Sequence, residues 1–243
     1  MGLSKDIQIE MISILKDNYV PVIIYKNSSA CLVDPGDSQP VQRYLSDRNL
    51  KLEAILITHH HPDHIGGVRE LLELHPKARL IDPKDKDFTS HDSFSLQICN
   101  DQLSLVCIKT PGHTLDHAVY YCRDLDSLFC GDLIFGLGCG RVFEGTMAQM
   151  FTSLEIVKKL PPTTKIYCAH EYTEHNLKFI LENSDQLCLE NPASFKEYQQ
   201  NLHSLRHRGL PSVPLLLAQE LINNPFLSAK TVEEFTFWRK LKG

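Results

Sequence analysis

Long apolar segments are missing from this sequence. A helix that spans a membrane needs about 18 or more consecutive apolar residues, and no such run occurs in the 243 residues. Residues 1–6, MGLSKD, lack the apolar segment of a secretion signal and lack the Ser or Thr that N-myristoylation requires at position 6. We therefore expect a cytoplasmic protein that does not bind a membrane.

An excess of basic charge is also missing. The chain has 25 Lys and Arg against 30 Asp and Glu, for a formal net charge of −5. Proteins that bind nucleic acid usually carry a basic face, so we expect no nucleic-acid partner. With 42% hydrophobic and 23% charged residues, the composition is that of a folded domain and argues against disorder.

Paired cysteine motifs are the third absence. The chain has eight cysteines but no C-x-x-C pair, which argues against a structural zinc ribbon. Most of them stand in apolar runs such as residues 30–33, ACLV. We interpret them as free buried thiols of a protein in a reducing compartment.

Short apolar runs between turn residues dominate the first two thirds of the chain and predict an α/β domain. Strands are predicted at 22–25, 31–33, 53–58, 104–108, 118–122, 127–130 and 165–168. A helix is predicted over 63–74, although the Gly66–Gly67 pair weakens it. After about residue 172 the pattern is helical, with helices predicted at 174–182, 195–207 and 232–241. We predict a catalytic domain over 1–172 and a small all-α domain over 173–243.

The strongest chemical signal is residues 58–64, THHHPDH, directly after a predicted buried strand. In an extended segment His59 and His61 face the same side and can hold one ion, whereas His60 points away. Pro62 suits the first position of a helix. Asp63 and His64 then leave the backbone in another direction and are better placed for a second ion.

Three further candidate ligands lie where later strands end in loops: His113, Asp132 and His170. Rigid strand ends are usual positions for catalytic groups. Seven nitrogen and oxygen ligands suit two metal ions that share one carboxylate. Asp132 is the best candidate for the shared ligand, because imidazole can bridge two metals only by losing both protons.

Asp34, in residues 33–37, VDPGD, has two possible roles. It could be an ordinary turn residue, or it could orient a metal-bound histidine through a hydrogen bond. The sequence leaves both open.

The order of these motifs resembles the metallo-β-lactamase superfamily, whose fold is an αββα sandwich. The chain also resembles, almost end to end, the glyoxalase II family of hydroxyacylglutathione hydrolases. The motifs that carry this closer resemblance are 17–19 (DNY), 58–67 (THHHPDHIGG), 110–114 (TPGHT), 139–141 (CGR), 144–146 (EGT), 170–173 (HEYT) and 224–227 (NPFL). The resemblance implies that His59, His61, His113 and Asp132 hold one metal. It implies that Asp63, His64, Asp132 and His170 hold the other.

The resemblance also implies a glutathione site. The family's Lys-x-Tyr pair reads Arg141-Val142-Phe143 here, which keeps a cation but loses a hydroxyl donor. Tyr172 and the terminal Arg239-x-x-Lys242 match the family pattern. Arg239 and Lys242 could instead be an ordinary cationic helix end.

We therefore predict a thioester hydrolase that cleaves S-D-lactoylglutathione to D-lactate and glutathione. Two divalent ions, zinc first and iron or manganese as alternatives, would activate a bridging hydroxide. Asp132 and Asp63 are the candidate catalytic carboxylates, and Asp63 could also handle a proton. We expect a monomer whose partner is the small glutathione thioester.

The sequence is also compatible with two other functions. A glutathione persulfide dioxygenase with one iron has a similar first domain but lacks the long helical tail. A non-catalytic metal-binding protein could keep the same scaffold. Oxygen uptake, or metal content measured with a thioester assay, separates these from a hydrolase.

Overall fold

The computed structural model describes residues 6–85, 93–98, 103–186 and 191–243. Two units make up the described chain. The N-terminal unit contains Met1–Lys109 and Asp116–Gly131, and the C-terminal unit contains Thr110–Leu115 and Asp132–Gly243.

The first sheet of the N-terminal unit has five strands in the order β1-β2-β3-β4-β5. The first three strands pair antiparallel and the last two join in parallel. The strands are β1 (Ile7–Ile14), β2 (Asn18–Tyr25), β3 (Ser29–Val33), β4 (Lys51–Leu56) and β5 (Arg79–Ile81), and the helices are α1 (Ser38–Asp47), α2 (Pro62–Ile65) and α3 (Val68–Leu74).

The core of this unit forms where the sheet packs on α1 and α3. Both β2 and β3 are buried along their whole length, which explains why they read as continuous apolar runs. Val41 and Leu45 of α1 and Leu71 of α3 join the same apolar cluster. The helix predicted over 63–74 is instead two helices, because the chain between α2 and α3 turns at Gly66 and Gly67.

Four antiparallel strands follow in the same unit: β6 (Ser93–Ile98), β7 (Leu103–Lys109), β8 (Ala118–Cys122) and β9 (Ser127–Gly131). The Tyr120 hydroxyl of β8 donates to the carbonyl of Ile57 at 2.5 Å. The N–H of Ala118 donates to the carbonyl of Thr58 at 2.9 Å. The start of β8 is thereby tied to the segment that follows β4.

The C-terminal unit is mainly helical. Its strands are β10 (Ile134–Phe135), β11 (Gly138–Cys139), β12 (Lys165–Cys168) and β13 (Leu215–Leu216). Its helices are α4 (Met147–Val157), α5 (Thr173–Glu182), α6 (Pro192–His207), α7 (Leu217–Asn223), α8 (Pro225–Ser228) and α9 (Val232–Lys242). The three helices predicted from the sequence correspond to α5, α6 and α9.

The cysteine prediction is confirmed for the part of the chain that is described. Cys31, Cys107, Cys122, Cys130, Cys139 and Cys168 are buried thiols. Cys99 and Cys188 lie outside the described residues. Within those residues, every helix is too short or too polar to cross a membrane.

Candidate metal centre

The histidine run lies in a buried, hydrogen-bonded segment after β4. Thr58, His59 and His64 are fully buried, with 0% exposed. Nε2 of His59 lies 3.0 Å from Nδ1 of His61. Two imidazole nitrogens that face each other at this distance either share a proton or bind a common cation. His60 turns away from them and contacts the carboxylate of Asp116 at 2.9 Å.

Asp34 organises this segment through three hydrogen bonds. Its Oδ1 accepts the N–H of Thr58 at 2.7 Å, and its Oδ2 accepts the Thr58 hydroxyl at 2.6 Å. Oδ2 also lies 2.9 Å from Nδ1 of His64. The sequence left two roles open for Asp34. In the structure its carboxylate oxygen lies beside the ring of His64, a candidate metal ligand, which agrees with the second role, that of orienting a histidine.

These contacts assign the proton positions of two histidines. A carboxylate only accepts, so Nδ1 of His64 carries its proton and Nε2 has the lone pair. The Thr58 hydroxyl has one proton and donates it to Asp34, so Thr58 Oγ1 accepts from Nδ1 of His59 at 3.0 Å. Nε2 of His59 then has the lone pair that a metal needs.

Asp63 is the second residue of α2, directly after Pro62. The Asn18 amide donates to Oδ2 of Asp63 at 3.0 Å, and the same oxygen lies 3.6 Å from Nε2 of His64. A Cβ at Gly36 would lie 1.8 Å from the carbonyl oxygen of Asp63, so only glycine permits this approach. Asn18 is a site residue to which sequence reasoning assigned no role, although it lies in the DNY motif.

A second group of candidate ligands lies in the C-terminal unit and centres on Asp132. Its Oδ2 is 3.4 Å from Nε2 of His113, and its Oδ1 is 3.4 Å from Nε2 of His170. All three residues are buried. One carboxylate with an imidazole at each oxygen is the arrangement expected of a ligand shared by two cations.

The proton position of His113 also follows from its contacts. Its Nδ1 lies 2.7 Å from the carbonyl oxygen of Arg141. A carbonyl only accepts, so Nδ1 carries the proton and Nε2, on the Asp132 side, has the lone pair. Gly112, with φ of +153°, leads into His113 and packs so tightly that a Cβ there would lie 2.7 Å from the backbone of Met150.

The predicted substrate contacts differ in exposure. The Phe143 side chain is 59% exposed and lies edge-on to His113, with centroids 5.3 Å apart. The Arg141 guanidinium is 5.8 Å from the Phe143 ring. Tyr172 stacks on His170, with centroids 4.6 Å apart and planes within 6°.

The two terminal cations are not a solvated helix end. Arg239 is 5% exposed and donates to the carbonyl of Cys139 at 2.9 Å. Lys242 donates to Oδ1 of Asn176 and lies 5.5 Å from the Phe179 ring. Burial lowers the pKa of Lys242 to about 8, so this side chain is charged at neutral pH.

The donor set suits divalent transition metals. The candidate ligands offer imidazole nitrogens and carboxylate oxygens without a thiolate, a combination that zinc, iron and manganese all accept. Three of the histidines already have Nδ1–H committed to Thr58, Asp34 or a backbone carbonyl. The seven candidate ligands thus form one group in each unit, four in the N-terminal unit and three in the C-terminal unit.

Comparison with known proteins defines the class. The family model of the metallo-β-lactamase superfamily matches residues 18–97 and 100–170. The fold agrees. The crystal structure of the BLEG-1 B3 metallo-β-lactamase superposes with a TM-score of 0.67 at 20% identity, covering 91% of this chain and 100% of that one. The crystal structure of ETHE1 from Myxococcus xanthus gives a TM-score of 0.68 at 22% identity, covering 96% and 90%. The predicted α/β metallo-β-lactamase fold is therefore confirmed.

The C-terminal residues identify the family within this superfamily. Residues 171–239 match the model described as the hydroxyacylglutathione hydrolase C-terminus. The hydroxyacylglutathione hydrolase of Bdellovibrio bacteriovorus is 42% identical over 252 aligned residues, covering 99% of both chains. That of Hahella chejuensis is also 42% identical, covering 88% of this chain and 83% of its own length. The chain belongs to the hydroxyacylglutathione hydrolase family, as the sequence motifs predict.

Proposed function

We propose that this protein is a metal-dependent hydrolase of glutathione thioesters, with S-D-lactoylglutathione as its main substrate and D-lactate and glutathione as its products. One observation carries the proposal. His59, His64 and His113 each have Nδ1 bonded to an oxygen acceptor, and metal-binding histidines nearly always engage their second nitrogen in this way.

In this proposal seven residues hold two divalent ions, zinc first and iron or manganese as alternatives. The first ion takes His59, His61, His113 and Asp132, and the second takes Asp63, His64, Asp132 and His170. When bound, the two ions would acidify a water molecule and polarise the thioester carbonyl. The family membership of the chain and the imidazole–carboxylate donor set support this assignment.

The protein's own groups hold the ligands in position. Asp34 keeps the proton of His64 on Nδ1, and Asn18 holds the Asp63 carboxylate from one side. A thiolate leaves readily, so the reaction needs neither a serine nucleophile nor a strong protein acid. Asp63 remains the candidate for handling the proton, beside its role as a ligand.

In this proposal the substrate is bound by residues near the end of the chain, by the loop after β11 and by Tyr172, which directly precedes α5. Arg141 and Lys242 supply cations for the two carboxylates of the glutathione part, and Tyr172 and Phe143 supply ring surface. Arg239 belongs to the same proposed site, although its guanidinium is largely committed to backbone carbonyls. We assign residues 1–172 to catalysis and 173–243 to substrate binding, in a monomeric cytoplasmic enzyme.

The runner-up function is oxidation of glutathione persulfide at a single iron. The helical segment after residue 172, which matches the hydroxyacylglutathione hydrolase C-terminus, supports the hydrolase over this alternative. Oxygen consumption with glutathione persulfide would support the dioxygenase, whereas thioester cleavage without oxygen uptake supports the hydrolase.

The test is a thioester assay on purified protein with metal content measured on the same sample. We expect hydrolysis of S-D-lactoylglutathione, its loss on chelation and its return with added zinc, iron or manganese. Asp132→Ala should abolish turnover and lower the metal content. Asp124→Ala, in the exposed turn between β8 and β9, is the matched control and should leave both unchanged. Metal-loaded protein that leaves the thioester intact contradicts the proposal.

A panel of acyl groups and thiol carriers completes the assay. Comparing D-lactoyl thioesters of glutathione and of other thiols tests whether Phe143, which lacks the hydroxyl of the family's tyrosine, alters the preference for the thiol carrier. Phe143→Tyr is the matched variant. An unchanged ratio of kcat/KM values between carriers removes Phe143 from the substrate site.

A further inference from the structure

The segment after Asp132 is a tight hairpin whose end, at Gly140, lies against its beginning, at Asp132. Strands β10 and β11 pair antiparallel, and the N–H of Gly140 donates to the carbonyl of Leu133 at 3.3 Å. A Cβ at Gly140 would lie 1.9 Å from the carbonyl oxygen of Asp132 and 3.3 Å from Nδ1 of His113. The position of this hairpin therefore determines where two of the proposed metal ligands lie.

Every residue from 135 to 140 is bonded to a side chain from the helices of the C-terminal unit or from Asn224, which lies between α7 and α8. The bonds run from Asn224 Nδ2 to the carbonyls of Phe135 (3.2 Å) and Gly138 (2.9 Å), from Asn176 Nδ2 to the carbonyl of Gly136 (2.8 Å), from the N–H of Leu137 to Glu220 Oε2 (2.8 Å), and from Arg239 Nη1 to the carbonyls of Cys139 (2.9 Å) and Gly140 (3.5 Å). We call Asn176, Glu220, Asn224 and Arg239 the hairpin clamp.

The hairpin clamp is buried throughout, with exposures of 2% or less for Asn176, Glu220 and Asn224 and 5% for Arg239. Hydrogen bonds between buried groups are strong, and a broken one leaves a costly unsatisfied group. The buried side chains therefore hold residues 135–140 in one position.

Glu220 is the centre of the clamp. Its carboxylate accepts from the Tyr198 hydroxyl at 2.6 Å, from the N–H of Leu137 at 2.8 Å and from the Asn224 amide at 3.0 Å. Burial raises the pKa of Glu220, while these three donors oppose that rise. A side chain with this many buried partners orders the hairpin and the helices together.

The clamp also reaches His113 through the next peptide. Arg239 fixes the carbonyls of Cys139 and Gly140, and the carbonyl of Arg141 follows directly and accepts Nδ1–H of His113 at 2.7 Å. A displaced hairpin would move this acceptor. It would thereby release the bond that leaves Nε2 of His113 available to a metal.

We propose that the hairpin clamp positions Asp132 and His113 for metal binding, so that the helical segment serves the metal centre as well as the substrate. The inference rests on the proposed function only in taking these two residues as metal ligands. The clamp residues are positioning residues. They also explain why the asparagine of the motif at 224–227 is present in this chain.

Zinc affinity of the apoprotein, measured without substrate by competition with a chromophoric chelator, tests the inference. Glu220→Ala leaves three buried donors without their acceptor, and we expect the zinc Kd to rise on the order of 10–100-fold. Glu220→Gln should raise it less, because the amide oxygen can still accept from Leu137 while the NH2 group donates to the Tyr198 oxygen. Asn176→Ala, which removes one bond to the hairpin, should raise the Kd as well.

Asn223→Ala is the matched control in α7. Asn223 is buried, at 2% exposed, as is its neighbour Asn224, but the Asn223 amide donates to Ser194 Oγ and to the carbonyl of Gln219. We expect a lower Tm with an unchanged zinc Kd. The inference is overturned if Glu220→Gln and Asn176→Ala bind zinc like the wild type, or if Asn223→Ala weakens zinc binding equally. Because no thioester is present, failure of the hydrolase assignment would appear only in the turnover assay.

Discussion

Replacing Asp34 with asparagine is expected to weaken metal binding in a protein that still folds. Asp34 accepts from Thr58 N–H at 2.7 Å, from the Thr58 hydroxyl at 2.6 Å and from Nδ1 of His64 at 2.9 Å. In Asp34→Asn the amide oxygen can keep the first bond, while an NH2 group replaces Oδ2. Nδ1 of His64 must then accept a hydrogen bond from this NH2 group instead of donating one. The ring proton therefore moves to Nε2, and Nε2 stops being a ligand.

The expected magnitudes follow from these bonds. A hydrogen bond to a charged group contributes about 1.5–3 kcal/mol. Because the amide keeps part of the network, we expect the metal-free protein to lose about 1–2 kcal/mol of unfolding free energy. Loss of a partner that orients a metal-bound histidine typically costs about 10–100-fold in metal affinity. Asp34 has φ of 52°, a conformation that asparagine also tolerates, so the backbone adds no further strain.

The assay combines urea unfolding of the chelated protein with a zinc titration of the folded apoprotein. Asp37→Asn is the matched control, because Asp37 caps α1 by accepting from the N–H of Gln39 and asparagine caps a helix equally well. Wild-type zinc affinity and stoichiometry in Asp34→Asn would refute the assignment of the His64 proton, and a collapse of the fold would refute the estimate of stability.

Two further predictions follow from burial and close packing. Burial lowers the pKa of Lys242 from 10.5 to about 8. Between these two pH values the unfolded chain binds more protons than the folded one. The unfolding free energy of the wild type, compared with that of Lys242→Met, should therefore rise with pH. Urea unfolding of both proteins at about pH 7.5 and about pH 10 measures this, and a pH-independent difference contradicts it. Gly140→Ala places a Cβ 1.9 Å from the Asp132 carbonyl oxygen. It should lower the unfolding free energy by about 1–3 kcal/mol and should also weaken zinc binding. Gly209→Ala, which meets nothing within 4 Å at φ +68°, should cost about 1–2 kcal/mol of backbone strain and leave zinc binding intact.

Sequence reasoning identified most of the strands because their signal is local. β8 (Ala118–Cys122) and β12 (Lys165–Cys168) have the predicted bounds, since a short buried strand reads as an apolar run between turn residues. Several elements were not predicted, among them strand β1 (Ile7–Ile14), helix α1 (Ser38–Asp47) and helix α4 (Met147–Val157). β1 is only partly buried, and its sequence, IQIEMISI, mixes polar and apolar residues instead of forming one apolar run. Only three residues of α1, Ser38, Val41 and Leu45, face the core.

The break in the helix predicted over 63–74 has a tertiary cause. A Cβ at Gly66 would lie 2.5 Å from the carbonyl oxygen of Gly36, and one at Gly67 would lie 2.5 Å from the backbone nitrogen of Ser38. The segment after β3 therefore packs directly on these glycines. Helical spacing in the sequence contains no information about a neighbour almost 30 residues away.

The order of the ligand motifs, the class of metal chemistry and the family were determined by the sequence alone. The residue types and spacing within residues 58–64 indicate the metal chemistry, and the motifs between residues 17 and 227 indicate the family. Only the tertiary structure decided that Asp34 bonds to His64, that Asn18 holds Asp63, and that Arg239 is buried against the hairpin after Asp132. Each of these contacts joins residues separated by 30, 45 and 100 positions, respectively. Periodicity describes neighbours along one element, whereas the proton of a metal-binding histidine depends on an acceptor that folding brings from another part of the chain.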